Sequence, residues 1–428
     1  MDYERAIKAL EGRVPTRMVP DLDRMLALSD LLNHPQRNYP SIHITGTNGK
    51  TTTAIVATEL LRALGLRVGT YTSPHLHTVR ERIAYDGEPI SEEEFSEMYE
   101  YLEPYLAQVD SMGERVTYFE ALTILAEVWF AERAVDVAVV EVGMGGEWDA
   151  TNLVDGRIAV VTEVAVDHPE LGSTPVEVAR EKAGIIKEGA VCLTAERAPD
   201  VLALIGERCA ATGATLRTDG RDFALEERSL AFGGQTLDLR VGDRRYGEVL
   251  VPVFGDRMAT DALLGLAAVS AFVGDRELDD EVVHEGFARV RSPGRVEVLR
   301  RRPLILVDGA HNPDAAAALC AAVAESFQWG RLVLVLGMLA DKDVAGVAGI
   351  LVPMADLVIA TRPASPRAAS AEQIGKEIAT LGIETLTAAT VEGALAQAME
   401  QASEEDCILV TGSFYTVAEA RASVLGLS

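Results

Sequence analysis

A lysine flanked by glycines and followed by hydroxyls is the grouping in this chain best suited to chemistry. In IHITGTNGKTT, residues 42–52, Gly46 and Gly49 let the backbone turn tightly enough for several N–H groups to face one anion. The residues that follow, TTAIVATELLRALG, place Ile55, Leu60 and Leu64 at near-helical spacing, so the positive end of a helix dipole points at the same spot. Lys50 would reach outer phosphates, and Thr51 or Thr52 would offer a hydroxyl to magnesium. The general P-loop pattern asks for a glycine where this chain has Ile44, leaving the shorter GxxGK[ST] form. A nucleotide site is the reading these residues support.

Carboxylates and an imidazole stand near the same edge. VAVVEVGMGGEWDATN puts Glu141 at the end of an apolar strand and before a glycine turn, the ligand edge of an α/β sheet. A carboxylate there is costly unless paired or metal-bound, and a hard oxygen ligand beside phosphates suits magnesium. A second strand, IAVVTEVAVDH, is expected to end at Asp167 and His168 and to aim them at the same ion. Lys182 and Lys187, in REKAGIIK, read by themselves as solvated surface charges. Further on, Arg295 in SPGRVEV could hold phosphate and Asp308 in VDGAHNP could bond ribose hydroxyls, with His311 and Asn312 close by.

Elements must hold these groups. Short apolar runs at 68–71, 137–142, 158–162, 304–307, 332–336 and 407–411 alternate with amphipathic stretches, which predicts an α/β fold of parallel sheets covered by helices. Ser91 with Glu94, and Thr174–Pro175 with Glu177, mark helix starts. Between about Phe223 and Val251 the pattern alternates around two glycine turns, predicting a small antiparallel insert on the first domain. The turn Ser292–Pro293–Gly294 divides the chain into domains 1–292 and 293–428. A net charge of −27 argues against nucleic acid or an anionic membrane surface as partner, so anionic ligands must be held by local cations, amides and metal. The four cysteines, far apart in sequence, read as isolated thiols of a reducing compartment. No apolar run approaches the ~18 residues that span a bilayer, so a soluble, cytoplasmic monomer is expected.

Blocks in fixed order then carry a resemblance. HPQRNYPSIHITGTNGKTT, VGTYTSPHL, ERIAYDGEPISEEEF, TYFEAL, EVGMGGEWDATN, REKAGIIK, SPGRVEV, DGAHNPDAA, GMLADKD, TRPASPRA and TGSFYTVAEAR resemble the folate branch of the Mur ligase superfamily, the dihydrofolate synthase/folylpolyglutamate synthases. The resemblance implies a P-loop N-terminal domain, a smaller Rossmann-like C-terminal glutamate-ligase domain, and ATP-driven amide formation in a cleft. Phosphate would meet Gly46, Thr47, Asn48, Gly49 and Lys50; magnesium would meet Thr72 or Ser73, Glu141 and His168; Arg295 and Asp308 would contact ATP. Lys182 falls where such enzymes often carry a carbamylated lysine, able to hold a second magnesium. The pterin-bearing substrate would meet Thr117, Tyr118, Phe119 and Glu120 together with Trp148, Asp149 and Ala150, and His311 would lie near the incoming glutamate.

Three departures accompany the match. The P-loop reads GKTT, closer to the cell-wall ligases; DHPELG is one residue short after His168; and in GDRMATDA, Asp261 stands where the family has an asparagine toward the nucleotide base, a carboxylate that only accepts replacing an amide that also donates. The expected reaction adds L-glutamate to dihydropteroate and further glutamates to reduced folates through an acyl phosphate. The alternatives are a Mur-type ligase of a cell-wall precursor and a nucleotide-binding relative without turnover.

Overall fold

Strands buried on both faces organise the chain, as expected of parallel sheets roofed by helices. The computed structural model describes residues 1–14 and 20–427. They form two compact units: 1–229, 236–251 and 260–290 in the first, and 230–235, 252–259 and 291–428 in the second. Among the described residues no helix is long and apolar enough to cross a membrane.

The first unit is built on eight strands, β1 (Ser41–Thr45), β2 (Val68–Tyr71), β3 (Ile83–Tyr85), β4 (Glu88–Pro89), β5 (Val137–Glu141), β6 (Ile158–Val161), β7 (Val191–Thr194) and β8 (Thr215–Thr218). Their order is β4-β3-β2-β5-β1-β6-β7-β8. All neighbours are parallel except the β2-β3-β4 edge, where the chain doubles back. Ile44 lies opposite Glu141 and Thr45 opposite Val161, so the carboxyl ends of β1, β5 and β6 finish side by side. One apolar cluster, with Tyr71, Phe95, Tyr99, Trp129 and Phe130, packs beneath the helices Glu92–Asp110 and Tyr118–Glu132; another, with Val161, Val178, Ile185 and Ile205, packs beneath Pro175–Lys182 and Pro199–Thr212. Each such side chain contributes about 1.5–3 kcal/mol when taken out of water. The predicted capping boxes at Ser91/Glu94 and Thr174/Glu177 are formed, and a third joins Thr117 to Glu120.

The strands β9 (Phe223–Ala231), β10 (Gly234–Val241) and β11 (Arg244–Val251) make a separate sheet ordered β11-β10-β9, joined by two-residue turns that only antiparallel neighbours allow. In the second unit, β12 (Glu297–Arg301), β13 (Leu304–Val307), β14 (Leu332–Leu336), β15 (Leu357–Thr361), β16 (Thr385–Ala388) and β17 (Cys407–Thr411) follow the order β12-β13-β17-β14-β15-β16. Only β12 runs antiparallel.

Three expectations need correction. The strand expected to reach Asp167 and His168 ends at Val161, because the next residues spend their hydrogen bonds on the glycine loop after β1: Thr47 N donates to Glu163 O (2.7 Å) and the Thr162 hydroxyl to Asn48 O (2.6 Å). Cys192 on β7 and Cys209 on the helix Pro199–Thr212 are not isolated, since both are buried in the second apolar cluster, where each thiol perturbs the other. Lys182 is buried and Lys187 half-buried, so neither is a solvated surface charge.

Candidate active site

Backbone conformation at the carboxyl end of β1 accounts for both glycines of the loop. Gly46 has φ +149° and Gly49 φ +89°, and a β-carbon at either would strike Thr162 or Asp261 respectively. Gly49 is also the N-cap of the helix Lys50–Ala63, which has no side-chain cap, so its first-turn N–H groups are presented to an anion. The loop is laced to the 162–165 segment: Asn48 Nδ2 donates to Glu163 Oε2 (2.9 Å), and the Thr47 hydroxyl both donates to Ala165 O (2.8 Å) and accepts from Ala165 N (2.9 Å).

Two lysines converge on the loop. Lys50 Nζ donates to Gly46 O (3.0 Å) and Thr47 O (3.3 Å), and Lys182 Nζ donates to the same Gly46 O at 2.8 Å. Burial, with Lys50 second, drives the Lys182 pKa well below the usual lysine range. Gly46, Thr47, Lys50, Lys182 and His168 line a cavity of about 30 Å³ with Gly143, Gly145 and Asp167, room for an ion or one or two waters rather than a nucleotide. His168 Nε2 lies 3.4 Å from Asp167 Oδ2.

Glu141 is 1% exposed. Its carboxylate accepts from the Thr51 hydroxyl (3.0 and 3.1 Å) and from Ser73 N (3.1 Å). Of the pairs left open by sequence, Thr51 and Ser73 are therefore the members at the carboxylate, while Thr52 is buried and Thr72 N bonds Arg82 O (2.9 Å). Among the described residues no three histidine, cysteine, aspartate or glutamate side chains gather as a metal cage. A hard divalent cation beside Glu141 would thus draw on hydroxyl, water and phosphate oxygens, the donor set magnesium prefers, and the residues fit it.

The expected substrate segments are built as walls. Thr117 caps the helix Tyr118–Glu132, and Glu120 accepts from Thr117 N (2.7 Å) and from Arg24 through Nε and Nη2 (2.9–3.1 Å). Phe119 packs on Tyr71, centroids 5.9 Å apart, and against Gly143. Asp149 accepts from Met144 N (2.9 Å), Thr151 N (3.0 Å) and the Thr151 hydroxyl (2.5 Å), pinning the turn that follows Glu141; Trp148 flanks Gly145 and Ala150 is buried. Asp261, 4% exposed, packs its carboxylate against Gly49. In the second unit, Arg295 lies 4.4 Å above the Phe414 ring. Asp308 accepts from Val296 N (2.9 Å) and Ala310 N (2.8 Å), and burial raises its pKa despite Arg295. His311 Nδ1 donates to Gly309 O (2.8 Å), which fixes the orientation of the ring.

Known proteins match this arrangement from end to end. The Mur ligase middle domain matches residues 44–269 and the Mur ligase glutamate ligase domain residues 294–414. A dihydrofolate synthase/folylpolyglutamate synthase of Mycobacterium tuberculosis is 42% identical over 85% of this chain and 79% of its own length. The chain belongs to the dihydrofolate synthase/folylpolyglutamate synthase family of Mur ligases. Folylpolyglutamate synthase of Lacticaseibacillus casei is 33% identical over 100% of this chain and 99% of its own. A solved M. tuberculosis folylpolyglutamate synthase complexed with ADP superposes with TM-score 0.94 at 38% identity, covering 99% of this chain and 98% of that one. An FPGS–AMPPCP–folate complex gives 0.88 at 32% identity, covering 100% of both.

Sequence reasoning passed over several residues that shape the site. His43 Nε2 meets the Thr151 hydroxyl at 2.9 Å; because that hydroxyl is donated to Asp149, Nε2 carries the proton, and burial pushes the ring's pKa down to about 3. Thr162, Glu163 and Arg24 clamp the loop and the Thr117 cap. Each belongs to a long-range pair, so only the position of His43, two residues before Thr45, hinted at a role.

Proposed function

We propose that this ligase joins the amine of L-glutamate to the carboxylate of dihydropteroate, and then to the γ-carboxylate of reduced folates, with ATP cleaved to ADP and phosphate. The observation that carries the reading is the 42% identity to the M. tuberculosis synthase, sustained over 85% of the chain. Glu141, Thr51 and Ser73 beside the glycine loop fit that chemistry.

The acceptor carboxylate attacks the γ-phosphate of ATP, ADP leaves, and the glutamate amine displaces phosphate from the resulting acyl phosphate. Both first reactants are anions, so their approach must be compensated. Loop N–H groups, the start of the helix Lys50–Ala63 and Lys50 do this on the phosphate side. Lys50, now held on two carbonyls, turns to phosphate oxygens when nucleotide arrives. Glu141, Thr51, Ser73 and His168 would hold magnesium, which when bound neutralises phosphate charge. Burial disfavours the charged form of Lys182, which suits capture of CO₂ by its amine as a carbamate that would serve a second ion. Arg295 and Asp308 are assigned to the nucleotide and His311 to glutamate. The domains are proposed as 1–292 and 293–428. A monomer in the cytoplasm suits four free thiols.

Phosphate release should require acceptor and glutamate together. Release that depends on a cell-wall precursor and needs neither of them would favour a Mur-type ligase, and none under any combination a binding protein. Glu141→Ala should lower kcat by about a hundredfold or more while the thermal midpoint stays near that of the parent. Undiminished turnover would remove Glu141 from the metal assignment.

A further inference from the structure

The acceptors proposed above differ by one anion, and this inference rests on that reading. Dihydropteroate carries only the carboxylate that reacts. A folate with one glutamate carries the reacting γ-carboxylate and an α-carboxylate that must be held without reacting. Lys50 and Lys182 are both committed to the Gly46 carbonyl, where phosphate is expected, so the spare carboxylate needs another cation.

We infer that Arg82, oriented by His75 and lying over Tyr118, receives the non-reacting α-carboxylate of the folate acceptor. Arg82 ends the loop that begins at Ser73, the residue whose N–H meets Glu141, and its own carbonyl accepts from Thr72 N at 2.9 Å. The two ends of that loop are therefore tied together next to the metal-binding carboxylate. Arg82 Nε donates to His75 Nδ1 (2.9 Å), and its guanidinium lies 5.7 Å from the Tyr118 ring centroid. A guanidinium N–H can only donate, so Nδ1 is the accepting nitrogen of the His75 ring. The Tyr118 ring beneath the guanidinium belongs to the 117–120 segment expected to meet the pterin, and the next residue, Phe119, packs on the buried Tyr71.

Neighbouring arginines behave differently. Arg24 is paired with Glu120 and Arg80 with Glu92. Among the described residues, no carboxylate comes within ion-pair distance of Arg82, although it is partly buried. A guanidinium held by one ring nitrogen and one aromatic face keeps its two terminal amino groups as a fork for a carboxylate. The loop is also stiff before any ligand arrives. The Glu81 carboxylate accepts from the N–H groups of Leu76, His77 and Thr78 at 2.8, 2.9 and 2.8 Å, and Arg80 Nη1 donates to Ile90 O at 3.2 Å. Preorganisation of this kind is what lets one side chain discriminate between ligands.

The test compares initial rates of the full chain with tetrahydrofolate monoglutamate and with dihydropteroate. Arg82→Gln should lower the ratio of kcat/KM for tetrahydrofolate to that for dihydropteroate at least about tenfold, mainly through the KM for tetrahydrofolate. His75→Ala should move the same ratio in the same direction, and His75→Asn, which returns an acceptor oxygen to the place of Nδ1, should restore it in part. Thermal midpoints and the affinity for a fluorescent ATP analogue report whether each variant is folded. Equal losses with both acceptors, or no change in the ratio, overturn the inference. Wild-type chain that ligates glutamate to neither acceptor refutes the underlying reading before any variant is compared.

Discussion

Glu127 lies in the middle of the helix Tyr118–Glu132, where water cannot reach it. It is 4% exposed, neither carboxyl oxygen has a hydrogen-bond partner among the described residues, and the nearby Tyr39 hydroxyl donates to the Glu127 backbone carbonyl (3.1 Å) instead. Burial pushes its pKa up from 4.5 to about 8. The folded chain therefore keeps a proton that the unfolded chain loses above pH 4.5, and the favourable contribution is full below that pH and disappears as pH rises through about 8. Glu127→Gln keeps the shape and removes the ionisation. Its thermal midpoint relative to wild type should climb by a few degrees, the consequence of about 1–2 kcal/mol, between mildly acidic and alkaline buffer. A midpoint difference that stays flat across that range would mean the group ionises freely in the fold. The prediction concerns the helix whose first residues are the expected pterin contacts, so its alkaline weakening should be felt by substrate as well.

Helices hold the phosphate loop by close contact as well as by apolar burial. A β-carbon on Gly286, in the helix Asp280–Arg289, would sit 2.8 Å from Leu60 Cδ2, 3.0 Å from Leu60 Cα and 3.3 Å from Glu59 O, all on the helix that starts at Lys50. Alanine gains about 1 kcal/mol of helix propensity over glycine, whereas overpacking costs about 1–3 kcal/mol. Backbone atoms cannot swing aside, so overpacking wins. Gly286→Ala should lower stability by about 1 kcal/mol and weaken nucleotide binding by displacing the Lys50 helix. Gly206 is the control: its nearest contact would be 3.8 Å away, and Gly206→Ala should stabilise by about 0.5–1 kcal/mol. Opposite signs for the two variants in chemical denaturation are the outcome expected; equal effects would discard the packing account. The same contrast explains how far the sequence could be read. Features written within a few residues were legible: the glycine loop and the helix that follows it, the capping boxes at Ser91 and Thr174, and the apolar runs that became β2, β5, β13, β14 and β17. What escaped depends on contacts across the chain. Lys182 gives no local sign of being buried against Gly46, nor Cys192 of lying beside Cys209, nor Arg24 of clamping Glu120, because each partner is separated from it by 136, 17 or 96 positions. Glu141 was legible because strand end and glycine turn are adjacent, whereas the premature end of β6 was not, since it is caused by bonds to residues 47 and 48.

Over the whole molecule, 66 acidic side chains against 39 basic ones give −27, yet the ligands it is built to take are anions. The two facts are reconciled by distance. At about 10 mM salt the screening length is about 30 Å, so an approaching nucleotide feels most of the chain and is repelled; at about 150 mM it is about 8 Å, and only groups around the loop count. Those groups are Lys50, Lys182 and the uncapped start of the helix Lys50–Ala63. Added salt should therefore remove the repulsion before it weakens the attraction. The association rate of a fluorescent ATP analogue with magnesium, followed by stopped flow, should rise about two- to fivefold between those two salt concentrations, opposite to the fall seen when a basic cleft steers an anion. The dissociation rate, governed by contacts of about 3 Å, should change much less. A rate that falls with salt would show that the field at the mouth of the site is positive on its own and that the acidic surface lies too far away to matter. A rise that vanishes when surface glutamates are exchanged for glutamine, with Lys50 untouched, would assign the barrier to net charge.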